Sequence, residues 1–240
     1  MKPAIQSNLP QHIGLIMDGN RRWAKQHNLP GIEGHRRVAQ VVIVQLVDRC
    51  IELHIPFITF WAFSTENWQR DPKEVSGVME LFRQGFKSSA QELEKRNVKL
   101  VTVGNLGDFP QDIQSEVTKW VKKTQNNTAI TVCFALSYGG RDEIVRGVKK
   151  LLHTKLKDNQ LPEDFQVTVE EFGQHLDTHI LPDPDLIIRP GGEKRLSGSL
   201  TWSSVYSELY FSDTLMPDFG PEKLDEALAE FQRRQRRFGV

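Results

Sequence analysis

Five short apolar runs alternate along this chain with longer amphipathic stretches, and that alternation leaves little choice of architecture. The runs are His12–Met17, Pro56–Phe63, Val98–Gly104, Ala129–Ser137 and Asp185–Arg189. Each has the length of a strand and ends in polar or turn-forming residues. Between them the apolar residues step by three and four. Val75, Met79, Phe82, Phe86, Ala90 and Leu93 fall on one helical face, and Val38, Val41, Val42, Leu46 and Ile51 predict a helix over Glu33–Leu53. Further helices are predicted over Pro110–Lys123, Asp142–Leu156, Val169–His175 and Pro221–Arg236, the last with proline at its start. Such alternation predicts an α/β fold with a mainly parallel central sheet flanked by helices. The continuous apolar character of Ala129–Ser137 marks a strand buried on both faces. No repeat or low-complexity linker interrupts the 240 residues, so 1–240 is expected to be a single domain, with 1–11 flexible.

Charge limits the partners. Lys plus Arg and Asp plus Glu both count 31, a balance that argues against a nucleic-acid binder and makes any anion site a local feature. Cys50 and Cys133 both sit among apolar residues, which excludes a disulfide framework and fits a reducing, cytoplasmic compartment. No stretch reaches the ~18 consecutive apolar residues of a membrane span. The opening residues MKPAIQSNLPQ lack the apolar centre of a secretion signal. A cytoplasmic protein with at most peripheral membrane contact is expected.

In open α/β sheets ligands bind beyond the carboxyl ends of the strands, so the residues that follow each run carry the functional information. From Asp18 to Arg37 there are five basic residues (Arg21, Arg22, Lys25, Arg36, Arg37) against two acidic ones (Asp18, Glu33). Turn amides and helix N-termini would add positive potential there. A second loop, RPGGEKRLS (Arg189–Ser197), combines Arg189, Lys194 and Arg195 with two glycines expected to expose backbone amides. Two anion sites are implied, and neither has a Walker A or GxGxxG pattern. Asp18 among these arginines reads either as a neutralised helix cap or as a ligand for Mg²⁺. That ion takes one or two protein carboxylates and fills its shell with water and phosphate oxygens.

Six blocks in order carry a family resemblance: MDGNRRWAK (Met17–Lys25), GHR (Gly34–Arg36), AFSTENWQR (Ala62–Arg70), SYGGRDEIV (Ser137–Val145), DLIIRPGGEKRLS (Asp185–Ser197) and SELYFSDTLMPDF (Ser207–Phe219). Together they resemble the cis-prenyltransferases, typified by undecaprenyl diphosphate synthase. The resemblance implies Mg²⁺-dependent condensation of isopentenyl diphosphate with an allylic diphosphate such as farnesyl diphosphate, giving a cis-polyprenyl diphosphate that carries glycans for cell-wall synthesis. It implies that Asp18 supports Mg²⁺ and departure of the allylic diphosphate, with Glu208 completing the metal shell. Gly19, Asn20, Arg22 and His35 would line the allylic diphosphate site. Trp23 and Trp68 would shape the reacting space, Ser64 and Asn67 would sit near the isopentenyl C2 proton, and Arg70 would place the substrate. Arg189, Arg195 and Ser197 would hold isopentenyl diphosphate, and Arg21, Thr65, Glu66 and Leu196 belong with the substrate-binding positions. A neutral amide is a very poor base, so Asn67 is expected to orient the substrate or relay the proton to diphosphate oxygen.

Other features have two readings. The Val75–Leu93 face is core packing from the residues alone; the resemblance makes it a wall of an apolar tunnel, with Phe82 and Phe86 as candidate floor residues. The closing RRQRRFG is a solvated helix end, or, as the resemblance implies, part of a homodimer in which Arg237 and Gly239 reach the partner's active site. The chain departs from the family pattern at Gly31, where an arginine that grips the allylic diphosphate is usual and Arg21 or Arg37 is the available substitute. It departs again at Pro190, Gly198, Ser199 and Ser203. A non-catalytic partner subunit and a synthase of short or branched products are the alternative readings; retention of Asp18, Arg189, Arg195 and Glu208 favours an active elongating enzyme.

Overall fold

The computed structural model describes residues 8–156, 161, 163 and 165–234, apart from the side chains of 85–87. Six strands form one fully parallel sheet: β1 His12–Ile16, β2 Phe57–Ser64, β3 Val98–Val103, β4 Ile130–Tyr138, β5 Leu186–Arg189 and β6 Glu208–Phe211. Their spatial order is β3-β4-β2-β1-β5-β6. The five expected strands are all present within one or two residues. β6 is an addition: its four residues are all half-buried at the sheet edge, so no apolar run marked it.

The helices are α1 Asn20–Gln26, α2 Ile32–Arg37, α3 Ile43–Glu52, α4 Pro72–Lys95, α5 Gln111–Lys123, α6 Gly140–Lys155, α7 Val169–Gly173 and α8 Pro221–Arg233. The helix expected over Glu33–Leu53 is α2 and α3 joined without a break through a π turn at Val38–Val42. α1 falls where only a turn was read, because its side of the core takes just Asn20, Trp23 and Ala24 and seven residues carry no stripe. α3 buries Ile43, Leu46, Val47 and Cys50 on one face, the i, i+3, i+4, i+7 spacing of an amphipathic helix. α4 starts sharply, with Pro72 in its first turn and the Asp71 carboxylate accepting from Lys73 N–H at 2.8 Å.

β4 is buried along nearly its whole length, as a central parallel strand must be. The main core lies between the sheet and α3, α4, α5 and α8, while a smaller cluster around Ile187, Leu200 and Tyr138 covers the other face. The six-stranded layer with helices packed about it is a single α/β domain. Of the segment expected to be flexible, 1–7 lie outside the described residues, while Gln11 N–H donates to Asp185 Oδ2 at 2.6 Å and tethers the entry to β1. No helix among the described residues is long and apolar enough to cross a membrane.

β1 lies between β2 and β5, so the chain leaves it toward one sheet edge and returns on its other side. The space beyond its carboxyl end is therefore a topological switch point, the usual place for a ligand in such a sheet.

Candidate active site

Asp18 follows β1 directly and stands at that switch point. Its Oδ1 accepts from Gly19 N–H at 2.6 Å and from Arg22 Nη2 at 3.2 Å, and its Oδ2 accepts from Arg189 Nη2 at 2.8 Å. Burial works to raise its pKa, but the Arg189 hydrogen bond and charge, the Gly19 amide and Arg22 outweigh burial and hold it below the usual carboxylate value. Gly19 has φ +98°, and a Cβ there would lie 2.8 Å from Leu215 Cδ2, so only glycine makes this turn. The glycine of the GHR block has another task. A Cβ on Gly34 would come within 2.0 Å of the Asn20 carbonyl oxygen, so α2 packs on α1 through a bare backbone and carries His35 to Asn20.

Two basins meet at Asp18. One is a cavity of about 500 Å³, within the range usual for small-molecule sites, whose polar mouth includes Asp18, His35, Asn67, Arg70, Arg189, Arg195 and Ser197. Inward its wall becomes apolar, with Ile16, Val38, Ile43, Trp61, Phe63, Val78, Leu81, Phe82 and Phe134. The second, of about 760 Å³, is open and basic, with Arg21, Arg22, Lys25 and Arg70 around it. Met17, Asp18, Asn20, His35 and Arg70 border both.

Within these basins the polar groups are arranged to receive rather than to complete bonds. His35 Nδ1 lies 3.1 Å from Asn20 Nδ2, and its Nε2 is shielded from solvent with no partner. With Nδ1 accepting from the amide, Nε2 carries the proton and is a donor in waiting. Burial lowers the His35 pKa to about 4, with Arg70 adding to the effect, so the ring is neutral at pH 7. Arg189 is 5% exposed, and its Nη1 donates to Ser197 Oγ at 2.9 Å, while its Nε is buried without a partner. Arg195 Nε also reaches Ser197 Oγ, at 3.2 Å. Asn67 Oδ1 accepts from Ser64 N–H at 3.0 Å, so the amide oxygen is occupied and the NH₂ group is the one left to meet a ligand.

Several expected positions have other surroundings. Gly191 and Gly192 do not offer their amides to an anion: they donate to the Thr214 and Ser212 carbonyls, both at 2.8 Å, and fasten this loop to the segment after β6. Trp23 and Trp68 do not border either basin. Trp23 stacks on His27 with centroids 4.1 Å apart, and the Arg37 guanidinium lies over it. Trp68 donates to Ser137 Oγ at 2.9 Å and meets Phe63 and Phe109 edge to face, so it backs the cavity wall that Phe63 forms. Thr65 packs beneath Gly139 and Leu196 against the smaller core cluster. Of the α4 face, Met79, Ala90 and Leu93 are core residues, while Phe82 reaches the cavity together with Val78 and Leu81 from the adjoining stripe. The Phe86 side chain lies outside the described residues, as do Arg237 and Gly239. Lys25 and Asn28, which border the basic basin, were missed as site residues; Lys25 was visible only as one charge in the basic run.

Glu208 is the largest displacement. It pairs in register with Leu186, which pairs with Ile13, so Glu208 stands at the amino end of the sheet, about 16 Å along the strands from Asp18. There it accepts from Arg234 Nη1 at 2.9 Å. One copy of the chain does not bring Asp18 and Glu208 to one ion. Among the described residues no group of three or more His, Cys, Asp or Glu side chains could hold a metal.

Comparison with known proteins identifies the family of the chain. Residues 16–239 match the prenyltransferase family described as "Putative undecaprenyl diphosphate synthase". The chain is 42% identical over 235 residues to an isoprenyl transferase of Clostridium acetobutylicum, covering 97% of this chain and 91% of that protein. It is 40% identical over 231 residues to an isoprenyl transferase of Neisseria meningitidis, covering 96% and 90%. Its structure is similar to lavandulyl diphosphate synthase from Lavandula x intermedia, solved in complex with dimethylallyl diphosphate, with TM-score 0.91 and 32% identity over 97% of this chain and 99% of that one. It is also similar to "a probable undecaprenyl diphosphate synthase" from Campylobacter jejuni, with TM-score 0.77 and 33% identity over 98% of this chain and 100% of that one. A parallel sheet with Asp18 where an open basic basin meets an apolar-walled cavity thus accompanies a family match over nearly the whole sequence, and the chain belongs to the undecaprenyl diphosphate synthase family of prenyltransferase enzymes.

Proposed function

We propose that the protein condenses isopentenyl diphosphate with an allylic diphosphate of the farnesyl type and builds a cis-polyprenyl diphosphate such as undecaprenyl diphosphate, a lipid carrier for cell-wall glycans. The observation that carries this reading is the junction of the two basins. A basic open basin and a cavity mouth bearing Arg189, Arg195 and Ser197 share Asp18, His35 and Arg70, so two anionic groups would lie side by side above an apolar chamber.

Mg²⁺ fits at Asp18. A carboxylate offers about four lone-pair sites, and the Gly19, Arg22 and Arg189 donors occupy three, leaving room for one bond to an ion that would draw its other ligands from diphosphate oxygens and water. When bound, the ion stabilises negative charge on the departing diphosphate. The chain's own residues do the rest. Arg21, Arg22, Lys25 and Arg70 neutralise the allylic diphosphate, and His35 Nε2–H donates to it without adding charge. Arg189, Arg195 and Ser197 hold isopentenyl diphosphate. Asn67 orients isopentenyl diphosphate by donating from its NH₂ to a diphosphate oxygen, and the C2 proton passes to diphosphate oxygen. Phe63, Val78, Leu81 and Phe82 keep water from the developing carbocation. Burying each five-carbon unit contributes roughly 4 kcal/mol at about 0.8 kcal/mol per carbon group, which favours threading of the growing chain inward.

In this reading the enzyme is a cytoplasmic homodimer that passes its product to the membrane face. A second reading, a synthase of another prenyl diphosphate, is favoured by the TM-score of 0.91 to lavandulyl diphosphate synthase. One experiment tests both: purified protein, Mg²⁺, labelled isopentenyl diphosphate and farnesyl or dimethylallyl diphosphate, with products separated by chain length. Long cis-products from the farnesyl primer support elongation. A ten-carbon product from dimethylallyl diphosphate alone supports the second reading.

A further inference from the structure

Serine and threonine inside helices can return their hydroxyl to the carbonyl four residues back, as Ser115 and Thr118 do in α5. Ser89, inside α4, does not. Its Oγ donates at 2.9 Å to the carbonyl of Ala39, which lies in the π turn between α2 and α3. In that turn Ile43 N–H bonds to the Val38 carbonyl five residues back, so the helix is locally widened at the tie. Both Ser89 and Ala39 border the apolar cavity.

Two of the contacts between these helices bracket the part of α4 that lines the cavity, and the tie is the inner of that pair; beyond it Arg96 Nε donates to Asp48 Oδ1 of α3 at 2.5 Å. Nearer the mouth, a Cβ on Gly77 of α4 would meet Ile32 Cδ1 of α2 at 3.8 Å. From Gly77 to Ser89 α4 advances twelve residues, while from Ile32 to Ala39 the opposing helix advances only seven. At about 1.5 Å per residue, α4 has roughly 7 Å of surplus path between the contacts. The surplus segment carries Val78, Leu81 and Phe82, all on the cavity wall. α4 thus stands off along the chamber and is drawn back to its neighbour at Ser89. Ser89 and Ala39 are both small, so bulk does not close the chamber at this level. At this level the Ser89 hydrogen bond is what joins the two walls, while further along α4 Ala90 and Leu93 enter the main core.

We propose that Ser89 is a specificity-determining residue that sets product length by tying α4 to the π turn at the inner end of the chamber. The inference rests on the elongation reading above. With the tie intact, a growing chain meets two joined helices. Without it, α4 can move outward and admit further units, so the length distribution should lengthen and broaden.

The test compares Ser89→Ala, Ser89→Thr and Ser89→Val with the unaltered enzyme, using farnesyl diphosphate, labelled isopentenyl diphosphate and Mg²⁺, with products resolved by chain length at equal isopentenyl incorporation. Thr and Val have the same shape, and only Thr keeps the hydroxyl. That pair decides the matter even if the alanine variant fails to fold by circular dichroism. The expected result is a product distribution for Val, and for a folded Ala variant, shifted upward by at least one isoprene unit, with Thr unshifted. Identical products from Thr and Val would overturn the role of the tie. If the unaltered enzyme transferred no prenyl group, the elongation reading would fail instead, which is a different outcome from unchanged lengths in an active series.

Discussion

Arg189 Nη2 donates to Asp18 Oδ2 at 2.8 Å, joining the carboxylate at the shared rim to the most buried guanidinium of the cavity mouth. The pair couples the two basins, because Asp18 also accepts from Arg22 of the basic one. Replacing Asp18 separates charge from hydrogen bonding. Asp18→Asn keeps an acceptor for Arg189 and loses the charge; Asp18→Ala loses both and leaves a buried guanidinium short of a partner. Turnover should fall about 10³-fold or more in both, as for loss of a charge-stabilising group. Stability should fall by about 1–3 kcal/mol in the alanine variant and less in the asparagine one. Steady-state kinetics and urea midpoints check this, and an Asp18→Asn enzyme of near-normal turnover would defeat the proposed role.

The missing arginine at position 31 has a structural answer. Arg37 is committed elsewhere, donating to the Pro217 carbonyl at 2.9 Å and lying over Trp23. Arg21 borders the basic basin, and its Cγ would lie 3.8 Å from a Cβ on Gly31. It meets Glu74 at 3.2 Å, and Arg70 meets the same carboxylate at 2.8 Å, so Glu74 holds two arginines at the mouth until a stronger anion arrives. Arg21→Gly should raise KM for the allylic diphosphate by about tenfold, the effect of roughly 1.4 kcal/mol. Adding Gly31→Arg should recover much of that loss, since 3.8 Å is ordinary contact and Gly31 has helical angles that any residue adopts. Arg37→Ala should leave that KM near normal. If Arg37→Ala raised KM and Arg21→Gly did not, the assignment would be reversed.

Where the sequence was legible, one signal had one meaning. Five strands and α4 were readable because their apolar residues repeat at the period of the element, and the position of Asp18 and Arg189 at the carboxyl ends of β1 and β5 because one directly follows such a run and the other closes one. β6 was hidden because ELYF at the sheet edge is half-buried throughout, and α1 because seven residues with three buried ones carry no stripe. The roles of Gly191 and Gly192 were misread for a different reason. Sequence reveals that an amide is unencumbered by a side chain, yet not that Thr214 and Ser212 stand across from it. The position of Glu208 depends on register across β1, β5 and β6, which no local pattern encodes.

His12 gives a pH dependence of stability with a definite sign. It is 1% exposed, with Nδ1 2.7 Å from the Pro182 carbonyl and Nε2 2.8 Å from Thr59 Oγ1. The carbonyl can only accept, so Nδ1–H donates and Nε2 accepts from the hydroxyl. Burial lowers its pKa from 6.5 to about 4 despite the Pro182 bond and the charge of Asp185. The unfolded chain therefore binds this proton first. The His12 contribution is complete above pH 6.5 and is lost as the pH falls toward 4, on the order of 3 kcal/mol across the window. His35 acts in the same direction. Unfolding free energy should be level from pH 8 to 7 and decline from there to pH 4.5, and His12→Gln should have a shallower decline. A wild-type profile flat to pH 4.5 would contradict the neutral, buried state of both rings.

Glu208 and Asp18 stand at opposite ends of one sheet, so if both serve catalysis they do so from different copies of the chain. Glu208 is held by Arg234, just after α8, and Arg234 Nη1 also donates to the Leu209 carbonyl at 2.8 Å, so it is fixed to the β6 edge rather than free to swing toward β1. A homodimer that shares sites makes a distinctive prediction. Asp18→Ala and Glu208→Ala proteins, each nearly inactive alone, should regain part of the normal turnover when unfolded together and refolded as a mixture. A mixed pair would contain one site with both carboxylates intact and one with neither. Random pairing gives half of the dimers this composition, so about a quarter of all sites are complete and recovery should approach about a quarter of the normal rate. Sedimentation of the mixture establishes that pairs have formed. Mixed dimers without recovered turnover would mean that the site is completed within one copy or that Glu208 takes no part in it.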